Sequence, residues 1–264
     1  DALDKQLHST KADYELEMVQ AEDKINDLLA KASSTIPLAE LNYAYLHNDY
    51  SQIVPLFPEE QRAQVQTALN NALTRTLYYK TELDHLKDTI EVFKKNKFEK
   101  AISMLHIKRN YSLDKLLNSA VNTTDLSTSG ELLVEQDRKM QRAFLLFESD
   151  FSHRCNARQA DIFRGLLIDD DTNPEKIDAA QARMGFGKTS LLPFIALYKA
   201  GNNSQSGSNK LVRFIVPKSA LETNTNDMSA ALTRLIGSRA VKDDFHRYQI
   251  ADDPEANMGE KSLT

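Results

Sequence analysis

The sequence predicts an α-rich fold: an all-helical platform over residues 1–150, followed by a partial α/β domain with a parallel sheet over residues 151–264. Three observations lead there. Apolar residues recur at three- and four-residue steps through the first half, where no Gly occurs before Gly130. Near Asn156 the pattern changes, and helix-like and strand-like runs alternate from there on. Finally, two of the chain's eight glycines fall in one octet between a predicted strand and a predicted helix.

The opening segment places Leu3, Leu7, Tyr14, Met18, Ala21, Ile25 and Leu28 on one helical stripe. Antiparallel packing against a following helix is expected to bury it, with a separate coiled-coil partner as the alternative. Ser33-Ser34-Thr35-Ile36-Pro37 breaks this helix. Pro37 suits the first turn of a second, short helix reaching about Leu46, where a missing N–H costs nothing. Pro55 and Pro58 bracket a turn. From Pro58 the series Val65, Leu69, Leu73, Leu77, Leu83, Leu86, Ile90 and Phe93 predicts a long helix near 58–95. Its length of ~55 Å exceeds what one small neighbour covers. Shorter helices near 97–108, 112–121 and 129–152 are therefore expected along it.

In the second half, Asn156 can cap a helix carrying Ile162, Phe163, Leu166 and Leu167, ahead of a turn over residues 169–174. Residues 177–183 read as a strand, 188–200 as a helix ended by Gly201, and 211–216 as a fully buried strand. The polar residues 202–209 make a surface loop, and a further helix ends at Gly237. A parallel pair joined by a right-handed crossover is the expected topology.

Ala182-Arg183-Met184-Gly185-Phe186-Gly187-Lys188-Thr189 lies at that strand-to-helix junction. Gly185 and Gly187, flanking Phe186, let successive backbone N–H groups converge on β- and γ-phosphate oxygens at the positive end of the following helix. Lys188 would neutralise those oxygens. The Thr189 hydroxyl would ligate Mg²⁺, and Ser190 continues the loop into the helix. ATP with Mg²⁺ is the cofactor pair this chemistry takes. A glycine-rich turn with an incidental Lys is the competing structural reading.

A strict phosphate-binding loop has Gly where this chain has Ala182. In that departure A-x-x-G-x-G-K-T resembles the first motif of superfamily 2 helicases, and implies a partial RecA-like domain. Upstream, Arg158-Gln159 resembles the adenine-reading Gln motif of the same superfamily; an amide can donate and accept at once, matching adenine N6 and N7. Val216-Pro217-Lys218-Ser219-Ala220-Leu221 resembles the next helicase motif loosely, and ordinary strand-to-helix construction accounts for it equally well. Taken together, residues 154–250 resemble very large P-loop proteins of eukaryotes and intracellular bacteria, in which a helicase-like core is embedded in long helical regions.

Hydrolysis requires further parts: an acidic motif for Mg²⁺ and water, and an Arg finger. Asp243-Asp244 and Asp252-Asp253 lie in polar surroundings, unlike an acidic motif at the end of an apolar strand. With no second RecA-like domain in sight, the chain reads as a nucleotide-binding fragment of a larger protein that does not turn ATP over alone. The other reading is a helical protein-interaction module, scaffold or effector, whose phosphate loop is vestigial.

Composition excludes several classes. One cysteine, Cys155, cannot form an internal disulfide, which points to a reducing, cytoplasmic setting, or to a host cytosol if the source is an intracellular bacterium. Residues 1–150 carry 18 Lys and Arg against 24 Asp and Glu, and residues 151–264 carry 15 against 14, so charge gives no support for nucleic-acid binding. No apolar run is long enough to span a bilayer. The six His are scattered away from Cys155, without zinc-site spacing. The tyrosines at 43, 45, 50, 78 and 79 stand at helical spacing and read as packing residues.

Overall fold

The computed structural model describes residues 2–32, 35–106, 113–117, 128–152, 154–155, 157–167, 194–198 and 218–238. Helices account for the regular structure here, and no strand occurs among the described residues. Helix α1 runs Ala2–Lys31, α2 Leu38–His47, α3 Arg62–Lys94, α4 Phe98–Leu105, α5 Leu113–Leu117, α6 Thr128–Phe151, α7 Ala157–Leu167 and α8 Lys218–Ile236. Residues 194–198 are helical as well.

Helices α1 and α3 form a long antiparallel pair. Leu7 packs with Leu86 and Ile90 near one end, Tyr14 meets Tyr79 with ring centroids 5.6 Å apart, and Glu17 lies 3.4 Å from Arg75 farther along. Ile25 and Leu28 then join Val65 and Leu69 in the main core. The predicted stripe of α1 is thus covered from within the chain. Its cover is α3 rather than the next helix in sequence, because the ten-residue α2 is too short to match α1. Along α3 every predicted position from Val65 to Ile90 is buried.

Proline and left-handed residues punctuate these helices. Pro37 precedes the first residue of α2 instead of occupying its first turn: its ψ of 143° is extended, while its carbonyl accepts from the Glu40 and Leu41 N–H groups. A 3₁₀ turn, Glu59–Gln61, separates Pro58 from α3, so the long helix starts at Arg62. Asn48 (φ 52°) closes α2 and Asn96 (φ 58°) follows α3, positions where Asn tolerates a backbone that costs most residues strain. Gly237 (φ 69°) stops α8 where the sequence predicts, its N–H bonding the Thr233 carbonyl at 3.1 Å.

The centre of the molecule is α6. From Arg142 to Ser149 its residues are buried on every face, as expected only of a helix with neighbours all around. Helices α2, α3 and α8 contact it, and the rings of Phe163 and Phe194 pack on Phe144. The helices beyond residue 151 therefore share one core with the first half.

Candidate functional site

The octet and its neighbours, Gly185, Phe186, Gly187, Lys188, Thr189 and Ser190, lie outside the described residues, as do the predicted strands over 177–183 and 211–216. What is described lies on either side of them. Helix α7 begins at Ala157 and carries Gln159, while residues 194–198 belong to the helix predicted over 188–200.

These two segments meet in an aromatic cluster. The Phe194 ring lies 4.1 Å from Phe163 of α7 and 4.7 Å from Phe144 of α6, stacked on the latter, with Phe147 edge-on at 5.6 Å. Phe194, Leu197 and Tyr198 are almost wholly buried, and Lys139 lies over the Tyr198 ring at 5.2 Å. Burying a Phe side chain stabilises by about 1.5–3 kcal/mol, so Phe194 is a firm anchor. It stands five positions past Thr189, a span of at most about 18 Å even for fully extended chain.

Gln159 sits on the first turn of α7 with 7% of its surface exposed, beside the fully buried Ala160. Its helix is held in several ways. The Cys155 N–H donates to Glu148 Oε1 at 2.9 Å just ahead of α7, and Arg164 Nε reaches Asp137 Oδ1 at 3.5 Å. Burial, with the Glu148 carboxylate beside it, raises the Cys155 thiol well above its ordinary range and so disfavours the thiolate.

A second polar cluster lies between α2, α3 and α6. Thr74 donates to the Asn70 carbonyl at 2.7 Å, which leaves its oxygen to accept from the Tyr45 hydroxyl at 3.0 Å. Burial pushes Tyr45 up to about 12, against the pull of Thr74 and Arg142. The adjoining cavity of about 20 Å³, lined by Arg138, Gln141 and Arg142 among others, has room for one water. It is a structural feature, too small for a substrate.

No group of three or more His, Cys, Asp or Glu suited to a metal occurs among the described residues. No helix of the described residues is long and apolar enough to cross a membrane. Compared with protein-family models, with characterised proteins and with solved structures, the chain matches none.

The Phe163 and Phe194 contact was not legible in the sequence, because aromatic residues 31 positions apart carry no signal of each other. Burial of Gln159 was equally hidden: the amide reads as polar, and its 7% exposure is set by tertiary packing that leaves no local signal.

Proposed function

We propose that this chain is the ATP-binding portion of a helicase-like P-loop NTPase, with Gly185 to Thr189 cradling phosphate, Thr189 on Mg²⁺ and Gln159 near the adenine. One observation carries the reading: the Phe163 ring packs at 4.1 Å on Phe194, tying the Gln159 helix to chain five residues past Thr189. An adenine reader and a phosphate loop serve one nucleotide only if their segments lie close together, and this contact supports that closeness. The helical platform would then act as the rigid base on which the loop is mounted.

Titration with Mg·ATP tests the proposal. Saturable binding by the wild-type chain, weakened at least tenfold by Lys188→Ala and made less dependent on Mg²⁺ by Thr189→Ala, is the expected result. Binding without turnover is expected from this chain alone. Identical behaviour of wild type and Lys188→Ala would defeat the reading.

Burial of Gln159 favours a second reading, in which the phosphate loop is vestigial and the helical half is an interaction module. A chain that binds no nucleotide while Gln159→Ala destabilises it would favour this reading, since a packed structural amide and an adenine reader differ in that respect.

A further inference from the structure

Most large apolar side chains of the described residues are buried, but α4 is an exception. Phe98, Ile102 and Leu105 are 48%, 46% and 41% exposed and stand at i, i+4 and i+7, so they form one stripe along a two-turn helix. The helix is not loose. Ala101 is fully buried against α3, His85 Nε2 donates to the Met104 carbonyl at 3.0 Å, and the Phe98 ring packs edge-on against Phe93 at 5.0 Å. The stripe is thus held outward on a fixed support, at the end of the α1–α3 pair remote from the main core.

Its surroundings are basic. Lys94, Lys95, Lys97 and Lys100 are all exposed and fall within seven residues, against Glu99 in that stretch and Asp88 and Glu91 in the turns before it, in a chain whose net charge is −5. Lys95 lies 3.6 Å from Glu91, an exposed pair that water and salt weaken readily.

We propose that this end of the molecule docks on an anionic phospholipid surface, with Phe98, Ile102 and Leu105 entering the headgroup and acyl boundary and the lysines meeting lipid phosphates and carboxylates. Charge and size select this occupant. A stable protein interface covers roughly 800 Å² per partner, many more residues than this short stripe offers. A bilayer needs only a few apolar side chains, because each lysine near its anionic surface strengthens binding roughly fivefold. An exposed apolar stripe beside clustered lysines is the pattern of an interfacial helix, which lies on the membrane without crossing it.

The chain contains no Trp, so Phe98→Trp places a single fluorescent reporter on the stripe. Its emission should shift to the blue with vesicles of phosphatidylcholine containing about one-third phosphatidylserine, and stay unchanged with pure phosphatidylcholine. In sedimentation with the same vesicles, Ile102→Ser with Leu105→Ser should weaken binding of the whole chain at least tenfold. Lys97→Ala with Lys100→Ala should weaken it roughly 25-fold and reduce its sensitivity to salt. All these positions are exposed, and unchanged helical circular dichroism would establish that the variants are folded. No blue shift on anionic vesicles, equal binding to neutral ones, or a shift produced only by an acidic peptide would overturn the proposal.

Discussion

Arg154 Nη2 lies 2.6 Å from Glu82 Oε2, with only 10% and 12% of the two side chains exposed, and so fastens the chain that leaves α6 to the middle of α3. Removing one member of so enclosed a pair takes the close counter-charge from the other in a place where little water can replace it. Glu82→Gln should therefore destabilise the protein by about 3 kcal/mol, read as a lower urea midpoint with unchanged slope. An effect under about 0.5 kcal/mol would mean that the pair behaves as an exposed one.

His47 governs a pH dependence. Burial, then the charges of Lys139 and Arg142, lowers it from 6.5 to about 4, while its ring packs on Tyr43 at 4.3 Å. Between those two values the unfolded chain binds the extra proton and the folded chain does not. The stabilisation is complete above pH 6.5 and is lost as pH falls towards 4. Its size should be roughly 2 kcal/mol once partial exposure is allowed for. Urea unfolding at pH 7 and pH 4.5 should give a smaller difference for His47→Gln than for wild type.

Phe194 links stability to the proposed nucleotide site. Phe194→Ala empties the space between Phe144 and Phe163 and should cost about 4 kcal/mol. Under native conditions the surviving folded population should also bind Mg·ATP more weakly, because the chain beyond Thr189 loses its anchor. Phe194→Leu should restore much of the stability, as measured by thermal denaturation.

Gly237 separates backbone strain from crowding. A Cβ there would meet only the Ala39 Cβ at 3.8 Å, an ordinary contact, so the cost of Gly237→Ala comes from its φ of 69°. That cost should be about 1 kcal/mol, and Gly237→Asn should cost less because Asn enters the left-handed region more readily. Equal losses for the two variants would point to packing instead.

Much of the helical structure was legible along the chain. The stripe of α1, the buried series from Val65 to Ile90 and the stop at Gly237 are local features, set by a 3.6-residue period and by one residue's φ preference. The octet supplies Gly185, Gly187, Lys188 and Thr189 at the spacing on which the proposed nucleotide site rests.

Partner choice was not legible. Only the tertiary structure decides that α3 covers α1, that α6 is enclosed on all sides, that Gln159 is withdrawn from water and that Phe98, Ile102 and Leu105 are left in it. The reason is physical: helical hydrogen bonds and amphipathic periods act over four residues, whereas burial depends on which distant surfaces fill the same space. Apolar side chains such as Phe163 and Phe98 look alike in sequence, and packing alone makes one core and the other surface.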